Sequence, residues 1–239
     1  MSQIILNGKS SNDVQGMIIS SLPPISKPKQ RIEKEEIDGR DGDVITYLGY
    51  SAYDKTMEIG LVGNYDINEI IKYFDSEGIV TFSNEPDKYY RYKIIEQIDF
   101  ERLLRFRIAK VTFHVQPYKY NKNETTHALN ITTETQTSVT NIGNTTAKPI
   151  ITFHGSGAIN VELNTKQLLV INLNEVEEGE DEDYITIDFE KMEAYRDDTL
   201  RNRQVDGDYD RFNLSVGTNI ISWTGGLTKI EISQFSRWV

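Results

Sequence analysis

Three groups of side chains have types that could do chemistry. The stretch EVEEGEDED gathers Glu175, Glu177, Glu178, Glu180, Asp181, Glu182 and Asp183 around a single glycine. Hard cations such as calcium take oxygen ligands, but a calcium loop alternates its ligands around a fixed bend, and no EF-hand pattern is present. So dense a run of like charge reads first as a solvated loop, with a structural calcium site as the lesser reading. DGDYD places Asp206, Asp208 and Asp210 at strand spacing, and a hairpin turn at Asp206-Gly207 accounts for it without a metal. The third group is aromatic. Tyr184, Tyr195, Tyr209, Trp223 and Trp238 could stack a pyranose ring, but Trp223 alternates with Ile221 and so reads as core. Tyr209 and Trp238 remain as candidate glycan contacts.

Catalytic arrangements are missing. The 239-residue chain has no cysteine, which removes disulfides, thiolate metal sites and a cysteine nucleophile. Its three histidines, His114, His127 and His154, are too few for a multi-histidine cage. HGSGA lacks the Gly-x-Ser-x-Gly spacing of a serine hydrolase. Nothing pairs two carboxylates across a glycosidic bond, so an all-β glycan hydrolase is a remote reading. We assign no catalytic, cofactor-binding or metal-ligating residue and expect a protein that is not an enzyme.

Charge and hydropathy narrow the class further. A formal net charge of −11 argues against generic nucleic-acid binding, which needs a basic surface. No apolar run reaches the length of a membrane span, and the N-terminus has no signal-peptide pattern. The sequon Asn130-Ile131-Thr132 is therefore not expected to be glycosylated. Residues 1–120 hold 16 basic and 18 acidic side chains, whereas residues 121–239 hold 10 and 19. Surfaces that differ this much fit two domains, with the boundary placed at 1–122 and 123–239, where the polar, threonine-rich NKNETTHALNITTETQTS begins.

The elements that would position any site are mostly strands. LPPISKPKQR carries Pro23, Pro24 and Pro28, so its backbone is extended and unfit for a central ladder. EIDGRDGDVITYLGY places Asp41-Gly42, a hairpin dipeptide, between β-favouring flanks. DINEIIKYFDSEG predicts one helix: Asp66 caps it, Glu69 completes a capping box, Ile67, Ile70, Ile71 and Phe74 form a core-facing stripe, and Gly78 stands as the C-cap. LLRFRIAKVTFHVQPYKY alternates with a slip near Ala109-Lys110, read as a β-bulge, and His114 reads as a solvent-facing strand residue. The hairpin formed with KYYRYKIIEQIDF is long, so residues 97–103, including Arg102, are expected to project as an arm.

The second half reads as short strands separated by Gly and Asn turns, the pattern of a jelly-roll β-sandwich. PIITFHGSGAINVELN, residues 149–164, is read as strand, Gly-Ser-Gly turn and strand.

Taken in order, NIGNTTAKPIITFHGSGAINVELN, DYITIDFEKMEAY and NLSVGTNIISWTG resemble the C-terminal domain of the distal tail proteins of long-tailed, siphovirus-type bacteriophages. The resemblance rests on Asn141/Gly143, Pro149, Gly155/Gly157 and Gly217/Asn219. PPISKPKQRIEKEEIDGRDGD and VTFHVQPYKY resemble the first domain of the same family. The likeness spans nearly the whole chain.

What the resemblance implies is a mostly-β chain of two domains. The first would be an N-terminal β-sandwich with one α-helix and an extended β-hairpin arm, the second a galectin-like jelly roll. It implies a structural virion protein whose copies form a homo-oligomeric, six-fold ring at the tail tip. That ring would join the tail-tube protein to the tail-associated or baseplate hub protein and leave a channel through which DNA passes without specific binding. The protein would be made in the bacterial host's cytoplasm and carry no cofactor and no membrane insertion. Pro23, Pro24, Pro28 and Arg102 would then be inter-subunit contacts. The alternative is a monomeric carbohydrate-binding β-sandwich module using Tyr209 and Trp238.

Overall fold

Ala109, Val111, Phe113 and Val115 are buried, while Lys110, Thr112 and His114 between them are wetter. This is the two-residue period of a strand with one covered face, and the strand runs from Ile108 to Asn121. The computed structural model describes residues 2–75, 77–174 and 183–239. The chain divides into two units, Met1–Lys122 with Val239 and Asn123–Trp238.

The first unit contains β1 (Ile4–Leu6), β2 (Lys9–Ser10), β3 (Met17–Ser21), β4 (Gln30–Glu36), β5 (Asp43–Tyr50), β6 (Tyr53–Leu61), α1 (Ile67–Phe74), β7 (Glu77–Phe82), β8 (Lys88–Lys93), α2 (Phe100–Phe106) and β9 (Ile108–Asn121). Seven of these strands form an antiparallel sheet in the order β2-β1-β7-β8-β9-β6-β3. Its apolar face shares one core with both helices, through Ile70, Tyr73, Phe74 and Leu103.

Asp66 caps α1 as expected, its Oδ1 accepting from the Asn68 amide at 2.9 Å. The buried stripe is Ile70, Tyr73 and Phe74, and Ile71 is exposed. Gly78 is not the C-cap. The helix ends four residues earlier and Gly78 lies within β7 at φ +141. A Cβ there would come within 2.2 Å of Asn7 Oδ1, which accepts from the Ile79 amide while Asn7 Nδ2 donates to the Glu77 carbonyl. The glycine makes room for that latch.

Residues 97–103 do not form the tip of an arm. The chain leaves β8 at Lys93 and makes α2, a second helix, capped where Asp99 Oδ1 accepts from the Arg102 amide at 2.8 Å. The slip read as a bulge is the passage from helix to strand through Arg107 at φ +60. β6 and β9 pair without interruption from Tyr53↔Val115 to Gly60↔Ile108. A seven-residue helix that buries only Leu103 leaves too little periodicity to be seen in sequence. The arm lies elsewhere, in β4 and β5.

The second unit contains β10 (His127–Asn130), β11 (Gln136–Asn141), β12 (Ile150–Leu163), β13 (Lys166–Leu173), β14 (Asp183–Asp188), β15 (Glu193–Arg196), β16 (Thr199–Leu200), β17 (Val205–Gly207) and β18 (Gly217–Ser233). Stretch 149–164 does not reverse at Gly155-Ser156-Gly157. It is a single 14-residue strand that pairs with β18 along its length. The register shifts twice, between His154 and Gly155 and between Ser156 and Ile159. Before the shifts β12 pairs β14, and after them it pairs β13. β18 likewise joins two expected strands into one of 17 residues. The two long strands therefore bend together, and one core of Phe153, Ile159, Val161, Ile185, Ile187, Trp223 and Ile230 fills the fold.

The bend explains the glycines. A Cβ on Gly155 would sit 2.1 Å from the Gly226 carbonyl oxygen, and one on Gly225 would sit 2.2 Å from that of Ala158. The Asn residues are internal latches. Buried Asn141 donates to the Thr145 and Leu214 carbonyls, and fully buried Asn219 donates to those of Ser215 and Gly217.

Candidate assembly interface

β4 and β5 make a two-stranded sheet of their own. Every residue of β4 is exposed, and in β5 only Val44 and Tyr50 are half-covered. Residues facing each other across an antiparallel pair share a face, so Ile32 with Tyr47 and Lys34 with Ile45 mark one face of this ribbon. Glu33 with Thr46 and Glu35 with Val44 mark the other. The first face leaves Tyr47 69%, Ile45 44% and Ile32 39% exposed. An isolated two-stranded hairpin is at best marginally stable in water, so an apolar face presented this way calls for a cover.

The proline segment sets the ribbon off from the sheet. β3 pairs with β6, residues 22–29 join no strand, and pairing resumes between β4 and β5. Prolines at 23, 24 and 28 carry no amide hydrogen for a ladder. Pro23 and Pro28 are buried against their own chain, and only Pro24 is exposed. The Pro23 carbonyl accepts from Asn84 Nδ2 at 2.9 Å and the Pro24 carbonyl from Lys55 Nζ at 2.7 Å.

Lys55 belongs to a buried charged cluster. It is 2% exposed, with Glu85 and Lys119 almost as covered. Lys119 Nζ donates to Glu85 Oε1 at 2.9 Å, and the Tyr90 hydroxyl donates to Glu85 Oε2. The Lys55 ammonium also lies 5.0 Å from the centre of the Tyr90 ring, a cation–π distance. Burial pulls the Lys55 amine down to about 8, against the raising pull of Glu85. Burial likewise pushes the phenols of Tyr53 (to about 12) and Tyr90 upward. Glu85 lies in the turn between β7 and β8, yet its side chain is buried and holds the floor on which the proline segment rests.

α2 offers a contrasting surface. Arg102, Leu104, Arg105, Phe106 and Arg107 are exposed, with Phe106 at 69%. Asp99, Glu101, Arg102, Arg105 and Phe106 line a shallow hollow of about 290 Å³. Arg102 is therefore a solvent-facing helical residue beside an exposed aromatic ring.

The candidates in the second unit are scattered. Of the acidic run, Glu175 to Glu182 lie outside the described residues. Asp183 is buried and spends its carboxylate on Arg196 and on the amides of Asn174 and Tyr184. Asp208 caps the 3-10 turn at Arg211, and Asp210 pairs with Lys148 at 2.9 Å. Among the described residues no group of three or more His, Asp or Glu converges on a point where a metal could sit. Trp223 is in the core, as its alternation implied. Tyr209 is half-buried against Phe189, and Trp238 is half-buried in the strand Arg237–Trp238. A polar hollow of about 740 Å³ opens between residues 163–168 and 210–215, lined by Asn164, Lys166, Gln167, Arg211 and Asn213 among others, and neither aromatic candidate lines it. Among the described residues no helix is long and apolar enough to cross a membrane.

Comparison with known proteins adds independent findings. Residues 7–115 match the model of the phage tail protein RIFT-related domain. No curated protein matches the chain. Among solved structures, the Dit (gp 19.1) protein of phage SPP1 superposes with a TM-score of 0.64 at 17% identity, covering 100% of both chains. That protein is described as a paradigm of the hub adsorption apparatus in phages infecting Gram-positive bacteria. A chain of the phage P2 baseplate, in its activated conformation with calcium, gives a TM-score of 0.50 at 11% identity over 98% of each chain. At these identities the likeness is one of fold.

Proposed function

We propose, from the match of residues 7–115 to the phage tail protein RIFT-related domain, that this chain is a structural hub at the distal tip of a phage tail. Copies associate through their first units into a ring, six-fold by analogy with the family it resembles, and leave a central passage for DNA. The tail-tube protein binds one side of the ring and the tail-associated or baseplate hub protein the other. The assembled protein resides in the virion after synthesis in the host cytoplasm.

The observation that carries this reading is the exposed β4–β5 ribbon, a two-stranded sheet of its own among the described residues with Tyr47, Ile45 and Ile32 uncovered on one face, within the segment that matches a tail domain. A closed ring of identical chains needs two unlike, complementary surfaces on each copy, and a projecting ribbon supplies one. The near-full-length likeness to a tail hub protein supports the same role. Negative-stain microscopy of the purified protein, alone and mixed with its tail-tube and baseplate neighbours, tests the proposal. Annular particles are expected, and compact monomers in every mixture would refute it.

A second reading, a carbohydrate-binding module, has the polar hollow beside Gln167 and Arg211 in its favour. It predicts saturable glycan binding lost on Arg211→Ala. Binding lost on Tyr209→Ala or Trp238→Ala instead would place the sugar elsewhere.

A further inference from the structure

We infer that the apolar face of the β4–β5 ribbon of one copy docks on α2 of the next copy, with Tyr47 and Ile45 against Phe106 and the ribbon's acids against Arg102 and Arg105. This rests on the ring reading and names the two surfaces that would build it.

Charge complementarity selects the pair. Residues 30–50, which form the ribbon and its tip, hold six acidic and three basic side chains. Residues 99–110, α2 with its cap and the start of β9, hold four basic side chains and two acidic. Within that second segment, and among the described residues, Arg105 pairs with Glu101 at a long 3.8 Å on an exposed face, a weak pairing that a better-placed carboxylate could replace.

Shape and hydropathy point the same way. Both surfaces expose a large aromatic ring to the same degree, Tyr47 and Phe106 at 69% each, flanked by partly exposed Ile45 and Leu104. The hollow beside Phe106, bordered by Arg102 and Arg105, is concave, whereas the ribbon is a projecting edge. An aromatic anchor in a hollow bordered by Arg102 and Arg105, with Asp99 and Glu101 beside them, has the aromatic and arginine content of an interface centre. A second copy is the occupant because the two patches are unlike and sit on one chain, as head-to-tail closure requires. This arrangement differs from strand addition, in which the ribbon's backbone would extend the neighbour's open edge at β3.

The chain's lack of cysteine allows a direct test. Tyr47→Cys and Phe106→Cys are introduced together, and the assembled protein is oxidised mildly. The expected product is a ladder of covalent multimers. Thr46→Cys with Phe106→Cys, which uses the opposite ribbon face, should give a yield lower by about ten-fold. Arg102→Glu/Arg105→Glu should weaken self-association by about ten-fold or more in sedimentation, with recovery on adding Glu36→Arg/Asp43→Arg, the paired acids on the docking face. Cross-linking confined within single chains overturns the inference. So does a ladder that forms instead between Tyr47→Cys and Ile18→Cys on β3, with annuli still visible; the ring reading then survives. Absence of any annulus, with all tail neighbours present, refutes the ring reading and this inference together.

Discussion

Gly225→Ala should unfold the second unit at a markedly lower temperature, and three glycines allow the cost to be divided. Gly225 combines φ +106 with crowding, since its added Cβ would lie 2.2 Å from the Ala158 carbonyl oxygen. Gly217 has φ +94 with nothing within 4 Å, so alanine there meets backbone strain alone. Gly143 has no positive φ, but its Cβ would lie 1.9 Å from the Arg237 carbonyl oxygen, so it tests crowding alone. A strained φ costs about 1–3 kcal/mol. Relieving the clash at Gly225 moves β12 from β18 at the bend and weakens one or two ladder hydrogen bonds, each worth about 0.5–1.5 kcal/mol. The combined cost for Gly225→Ala is therefore about 3 kcal/mol, and for Gly217→Ala about 1–2 kcal/mol. For a unit of this size 1 kcal/mol corresponds to about 4 °C, so the expected drops are about 12 °C and about 6 °C. Scanning calorimetry on each variant reads the second unit's transition directly. If Gly225→Ala melts within a degree or two of Gly217→Ala, crowding at the bend contributes nothing and the account of the long strands is wrong.

Two further predictions concern buried polar groups. Burial holds the Lys55 amine near 8, below its ordinary value of 10.5, so between those pH values the unfolded chain binds more protons and the first unit gains stability as pH rises. Lys55→Met, which leaves Glu85 paired with Lys119, should melt at or above the wild type at pH 7 and lose the rise between pH 8 and 9.5, below the range where the tyrosines titrate. An equally steep rise in the variant would show that another group is responsible. Asn219→Ala removes a fully buried amide that accepts from the Ser215 amide and Asn164 Nδ2 and donates to two carbonyls. A loss of about 2–4 kcal/mol is expected by chemical denaturation, and a loss below 0.5 kcal/mol would contradict the latch.

Local chemistry made much of this chain legible. The alternation in β9, the Asp66 cap, the break at the prolines and the hairpin at Asp41-Gly42 each follow from a few neighbouring side chains, and each appears in the structure. The turn motifs of the second half have a local physical basis, since Gly143 and Gly155 sit at close backbone approaches and Asn141 and Asn219 donate to nearby carbonyls.

Other features depended on partners distant in sequence. Gly155-Ser156-Gly157 has the composition of a reversal, yet β18 lies alongside and holds it as a bend. α2 is too short and too exposed for its period to show, and its cap is one Asp99 carboxylate. Glu85 sits in a turn, a place where a carboxylate is ordinarily exposed, but Lys119 and Tyr90 bond its side chain and bury it. The sequence alone determined that the chain is mostly strand and that it breaks at the prolines, because those preferences act between neighbours. Which glycines bend rather than turn, and which acids are buried, was decided when remote strands came together: the Gly226 carbonyl that crowds Gly155 is 71 residues away, and the Lys119 ammonium that pairs with Glu85 is 34 away.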